Sequence, residues 1–447
     1  MKRKRGLIIG SIGLTIVIVL SVITVFGSFN WAKNESINFE FFAINPISAS
    51  VSETLTFEAQ DIKNIEITSS EGDIEIIPGD TDQILADLEK TGWGGTQAKA
   101  LEKAQSLEMT SKVVDTTLYL TYTHPTIIGV VTYQGGANKI DMSIQIPSNI
   151  SVKTILNDGD ITIEDINNSV DLEGRFGDIS LTNITGEINV TNRDGDITIT
   201  DSNAGKEDVS MHSKFGDIKV TSIRGGTTYI STRDGDIEVT DLKSSETIQL
   251  SSEFGNISLK DFICRNLTIN LRDGSSDLQT GEISDTVSID SQFGNIEIKD
   301  LKADSYTIEA KDGDIDLDNI SGLVSANARF GDIDIKNGTN ITLIITMEDG
   351  SLNFSGTLNP AENHNMQTKF GNVVLTIPED SNFNLNIESR FGEFTSEIPM
   401  NITIGPDSPI NKDKQFEKWE GQMNDGGSLI SITTQDGDIN LKSIVSN

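Results

Sequence analysis

The chain has 447 residues, with 34 Lys and Arg against 68 Asp and Glu, and a formal charge of −34 at pH 7. A field of that sign repels nucleic acid and anionic lipid and attracts cations and basic partners, so a nucleic-acid-binding role is excluded. Cys264 is the only cysteine, which excludes an intramolecular disulfide; in an exported chain that fits a Gram-positive surface better than a eukaryotic secretory route.

Lys2-Arg3-Lys4-Arg5 precede an uncharged run from Gly6 to Phe29. About 20 apolar residues cross a bilayer of roughly 30 Å as a helix, and basic residues stay on the cytoplasmic side. The sequence therefore predicts a cytoplasmic tail over 1–5, a single transmembrane helix over 6–29, and a cell-membrane protein with everything beyond outside the cell. A cleaved signal peptide would need a shorter core and a small-x-small site, which Phe26-Gly27-Ser28-Phe29-Asn30-Trp31 does not offer. Without Lys2 to Arg5, 30 basic residues face 68 acidic ones, a charge of −38 on the outer part.

Residues 30–51 read as a spacer, and 52–150 as a β-rich N-terminal cap. Ile65-Glu66-Ile67, Asp73 to Ile76, Leu118-Tyr119-Leu120 and Met142 to Pro147 alternate with period two, while Ala98 to Leu107 predicts one short helix. A stack of strands needs such a cap to hide its terminal edge.

From residue 151 the chain repeats. A Gly preceded by Asp or Phe, and followed by an acidic or amide residue and Ile, begins at Asp158-Gly159-Asp160-Ile161 and recurs up to Gly392, with 18–21 residues between glycines. An isolated copy, Asp436-Gly437-Asp438-Ile439, follows later. Within the unit from Gly177, Ile179, Leu181, Ile188 and Val190 fall on one face and Asp178, Ser180, Thr182, Glu187 and Asn189 on the other. Alternation punctuated by Gly, Asn and Asp means strands and tight turns. Such a unit cannot bury its apolar side alone, but stacked units can. The prediction is an all-β fold: a β-solenoid of about 13 coils over 151–398, a rod of roughly 60 Å at a strand spacing of about 4.8 Å.

The residue before the glycine alternates strictly from Asp158 and Phe176 to Asp349 and Phe370; Phe391 breaks the alternation, so the regular stack is expected to end there. Two residues before the glycine the side chain is often basic, as in Arg175, Arg193 and Arg233, and after it acidic, as in Asp178, Asp196 and Asp236. Stacked like charges repel, so these are read as two adjacent columns of opposite sign that pair with each other. Residues 399–447 read as a long loop, Pro399 to Gly427, then a final strand pair and C-terminal cap from Ser428 to Ile444. That loop is the first candidate for partner contact.

No catalytic, cofactor-binding or metal-ligating residue is nominated. His124, His212 and His364 sit in unrelated contexts, and zinc spacing, phosphate-binding loops and nucleophile elbows are absent. Long loops such as polysaccharide lyases use have no room within the repeat. No cofactor is expected; structural Ca2+ is the weaker alternative, since Asp-Gly-Asp resembles part of a calcium loop but is also what tight turns prefer. The outward positions mix Thr, Ser, Lys, Glu and Asp, unlike the flat Thr ladder of an ice-binding face.

The basic start and apolar span, Ile65-Glu66-Ile67 with Gly72-Asp73-Ile74, Ile144-Gln145-Ile146-Pro147 and the serial Gly-Asp-Ile units resemble the bacterial "putative adhesin" family of membrane-anchored β-solenoid proteins. The resemblance implies a surface or envelope-stress accessory role and carries no catalytic residues. The expected function is non-enzymatic, adhesin-like binding or scaffolding at the bacterial envelope, with cell-wall material or an envelope protein as partner. The alternatives are an accessory of a stress-signalling system and a polysaccharide-acting enzyme.

Overall fold

Period-two alternation becomes parallel strands stacked in register. In the computed structural model, which describes residues 46–79, 82–123, 136–405 and 417–444, the strand Ile179–Thr182 buries Ile179 and Leu181 and turns Ser180 and Thr182 outward. Asn183 then bends the chain with φ at 55°, Ile184 points inside, and the strand Ile188–Asp194 buries Ile188, Val190 and Asn192. Gly195 closes the coil. Ile179 pairs with Ile161 on one side and Ile197 on the other, and the same column continues through Ile218 and Ile237 to Ile257. The result is an all-β β-solenoid of about 11 turns with one continuous aliphatic core.

The bend at Asn183 recurs at Asp165, Asp201, Ser222, Asp241, Asp261, Thr280 and Asp300, all near φ 50–57°. Asp and Asn tolerate this left-handed conformation better than other L-residues because their short polar side chains bond locally. The bend divides the longer strands: Ile218–Gly225 pairs with Ile237–Ser244 on both sides of Ser222, but not through it.

At both ends the stacking order departs from the chain order. Near the N-terminus, Asn64–Ser69 and Ile74–Pro78 form a coil directly against Ser151–Leu156 and Ile161–Glu164. Thr117–Tyr122 and Lys139–Ile146 stack on its other side. Antiparallel strands close this end: Gln83–Gly94 lies between Lys139–Ile146 and Ile47–Glu58, and Thr110–Val114 folds back on Thr117–Tyr122. Residues 47–51, expected in the spacer, thus belong to a strand. The expected helix forms at Gln97–Ser106, with Thr96 accepting the Lys99 N–H at its start.

Near the C-terminus, Leu429–Asp436 and Ile439–Ile444 do not follow the stack but enter it. The first pairs with His364–Phe370 on one side and Phe383–Ser389 on the other; the second lies between Val373–Pro378 and Phe394–Ser396. This overturns the reading of Phe391 as the end of the alternation. Phe370 pairs with Asp436, and Phe391 lies on the far side of that coil, donating its N–H to Gln435. In space the order is Phe370, Asp436, Phe391, and the alternation is unbroken. The expected loop over 399–427 holds two strands, Met400–Ile404 and Glu417–Met423, paired antiparallel, the second also covering Phe383–Ser389. No helix among the described residues is long and apolar enough to cross a membrane; the expected span over 6–29 lies outside the described residues.

Candidate ligand-binding edge

The glycine corner is the most regular feature of the surface. Gly235 sits at φ 156°, and a Cβ there would press on the carbonyl oxygen of Gly216 in the coil below, so only glycine lets the coils close to sheet distance. The next residue forms a hydrogen-bonded ladder. The Asp160 Oδ1 accepts the Asp178 N–H at 2.8 Å, Asp178 accepts from Asp196, Asp196 from Asp217 and Asp217 from Asp236, each at 2.8 Å. Where the acid is replaced the acceptor remains: Asn256 Oδ1 takes the Ser275 N–H at 3.0 Å and Ser275 Oγ the Asn295 N–H at 3.2 Å. The column needs a short side chain with an acceptor oxygen, and neutral members separate carboxylates that would repel across about 4.8 Å.

The pairing expected between this column and the basic one is not found. No ion pair joins Arg175 to Asp178, Arg193 to Asp196 or Arg233 to Asp236 among the described residues. The basic column pairs with itself, along the stack. Glu253 stands between Arg233 and Arg272 at 3.7 and 3.9 Å, and Glu348 between Arg329 and Lys369 at 3.2 and 2.9 Å. Being exposed, each such pair contributes at most about 1 kcal/mol.

The same cations lie over the phenylalanine rings. Arg175 and Arg193 both stand over Phe176, at 5.1 and 5.3 Å from its centroid, and Lys214 and Arg233 over Phe215, at 5.1 and 5.6 Å. Arg272, Arg329 and Arg390 each stand over one ring, those of Phe254, Phe330 and Phe391. The rings toward the C-terminal end are open to solvent: Phe254 is 38% exposed, Phe293 51%, Phe330 45%, Phe370 48% and Phe391 63%. Exposed Asp273, Asp312, Asp349 and Asp436 alternate with them. With one ring in every second coil, the rings repeat at about 9.6 Å, twice the strand spacing. This serial row of exposed rings is the candidate contact surface of the fold.

Other places carry less. A groove of about 710 Å³ lies along the bend column, lined by Asp241, Lys243, Asp261, Phe262, Ile263 and Asp300 among others. Within it Gly281 stands between Phe262 and Leu301, whose side chains fill the space a Cβ there would need. Asp261 and Asp300 are exposed, and Asp241, held below the usual carboxylate range by Lys243, is half-buried. No group of three or more His, Cys, Asp or Glu side chains among the described residues is placed to hold a metal ion. His212 is exposed beside Ser231; His364 is buried in another coil, with its pKa lowered by burial; His124 lies outside the described residues. Cys264 is buried, and desolvation pushes its thiol up to about 12.

No curated protein matches the chain. Two solved structures are similar: one described as a "putative cell adhesion protein" from Clostridium sporogenes, 8% identical, TM-score 0.19, covering 89% of this chain and 100% of that one; the other as a "putative adhesin" from Bacteroides fragilis, 10% identical, TM-score 0.18, covering 88% and 97%. TM-scores this low support no inference about function. The model of the Toastrack DUF4097 family matches residues 62–261 and 260–442, which together take in every regular coil and all of the N-terminal end but the strand Ile47–Glu58. The chain is therefore a member of the Toastrack DUF4097 family, in agreement with the adhesin-type resemblance of its motifs.

Proposed function

We propose that this chain is a non-enzymatic, membrane-anchored surface protein whose ring-and-cation edge binds material of the bacterial envelope. The observation that carries the proposal is the exposed row from Phe254 to Phe391, flanked by Arg and Lys in a chain of formal charge −34. Chance exposure of single apolar residues is ordinary, but a row kept in register over successive coils is not. The apolar run over 6–29, with Lys2 to Arg5 inside the cell, would anchor the chain in a Gram-positive membrane with its C-terminal part outside.

Co-sedimentation with isolated cell walls, with calcium and with chelator, tests the proposal. Saturable sedimentation is expected in both conditions. No sedimentation in either would refute wall binding, and binding lost only in chelator would place calcium at the contact.

A further inference from the structure

We infer that the row Phe254, Phe293, Phe330, Phe370 and Phe391 is a ladder of subsites for an extended β-1,4-linked glycan that carries one anionic group per disaccharide. The inference rests on the envelope-binding reading above and specifies its ligand.

Three features of the edge converge on this chemistry. The first is period. Rings in every second coil are about 9.6 Å apart, close to the rise of one disaccharide in an extended β-1,4 chain, where every second sugar presents the same face. Four such intervals from Phe254 to Phe391 make a track of about 38 Å, the length of roughly four disaccharides. The interleaved C-terminal coil keeps the period, because Asp436 separates Phe370 from Phe391 as Asp349 separates Phe330 from Phe370.

The second feature is ring access. Phe176 and Phe215 are half-buried, and each has two cations over it. The five rings beyond them have one cation or none: Arg272, Arg329 and Arg390 stand over Phe254, Phe330 and Phe391, while Phe293 and Phe370 have none within the same reach among the described contacts. An open aromatic face takes the apolar C–H side of a pyranose, and the Asp carboxylates between rings accept its hydroxyl protons.

The third feature is charge. Arg329, Lys369 and Arg390 directly precede Phe330, Phe370 and Phe391, and Arg272 and Lys311 precede the intervening Asp273 and Asp312. With Glu253 and Glu348 already drawing on Arg272, Arg329 and Lys369, the cationic charge left along the edge is sparse, which suits at most one carboxylate per repeat. The far denser charge of a nucleic acid backbone would meet the acidic remainder of the chain and be repelled.

The test uses the full-length chain in detergent, titrated with two series of one to five disaccharides: peptide-free peptidoglycan glycan strands, which carry a carboxylate per disaccharide, and neutral chitin oligomers. Affinity should rise with each disaccharide up to about five, one for each ring of the row, and be weaker throughout the neutral series. Replacing Phe330 and Phe370 by Ala should weaken the four-disaccharide ligand by about tenfold and leave the single disaccharide nearly unchanged; Phe→Trp at both should restore binding. Lys369→Gln with Arg390→Gln should weaken the anionic series alone. These surface variants should retain the wild-type melting temperature.

Affinity independent of length, or ring variants that bind like wild type, would overturn the inference. So would a dimer that the ring substitutions dissolve, because a second copy would then occupy the edge. If the chain sediments with walls yet shows no length dependence, the ligand class is wrong and the envelope-binding reading survives. If both fail, both are wrong.

Discussion

Replacing Ile432 by Ala tests the interleaved C-terminal coil. Ile432 is fully buried in the strand Leu429–Asp436, between Met366 of one neighbouring strand and Ile387 of the other. The substitution removes three buried carbons, about 2.4 kcal/mol of transfer free energy at about 0.8 each. The cavity left between two fixed strands raises the loss to about 3–4 kcal/mol. In a stack stabilised by nearest neighbours, that loss falls on whatever is attached through the damaged coil. The strands Phe383–Ser389 and Glu417–Met423 reach the rest of the fold through Leu429–Asp436. Hydrogen exchange followed by mass spectrometry should therefore show amides of 383–389 and 417–423 losing about two orders of magnitude of protection together with 429–436, while 161–330 is unchanged. If 429–436 alone lost protection, the coils would be stacked in chain order and the interleaving would be wrong.

Three further outcomes are expected. Gly235→Ala places a Cβ against the Gly216 carbonyl at φ 156° and should cost at least about 4 kcal/mol in urea titration; Gly79→Ala, whose Cβ would meet its nearest atom at 3.4 Å, should cost far less. His364 accepts the Leu343 N–H at Nδ1 at 3.3 Å and donates from Nε2 to the Asn359 carbonyl at 3.1 Å, so the neutral ring is the one that fits. Because burial lowers its pKa, its contribution is complete above the free imidazole value of about 6.5 and is lost as pH falls below that toward the folded value. The urea midpoint should drop between about pH 7.5 and about pH 5 by more in wild type than in His364→Gln; equal drops would remove His364 as the cause. Cys264 is 2% exposed with its thiol at about 12, so iodoacetamide at neutral pH should label it only after unfolding, and rapid labelling of the native chain would contradict its burial.

Solenoid architecture is legible in this sequence because both of its determinants are local. Ile179-Ser180-Leu181 shows which side chains turn inward, and Gly177 and Gly195 show where coils close. Stacking order is not local. Phe391 looks like a break because sequence adjacency puts it after Phe370, whereas the chain returns from a distance to insert Asp436 between them. The two strands within 399–427 are hidden for a related reason: Pro399, Pro406 and Pro409 suggest a loop, while Ile402 gains meaning only opposite Gly421 and Trp419 only opposite Ile387 of Phe383–Ser389. The acidic column was misread through its charge. Its role as a ladder of acceptors depends on an amide of the next coil, yet the exchange of Asp for Asn256, Ser275 and Asn295 is a signal available in the sequence, since all keep a short acceptor oxygen. The candidate edge was half visible: the Phe–Asp alternation could be counted, but that the later rings stand open while Phe176 and Phe215 are covered required the folded chain.

Hydroxyl-radical footprinting of the full-length chain, with and without isolated cell walls, tests the binding edge most directly. Oxidation of Phe293, Phe330, Phe370 and Phe391 should fall in the presence of walls, while exposed Tyr229 and Ile344 keep theirs. Saturable wall binding with the four rings still fully oxidised would contradict the account and move the contact to another face.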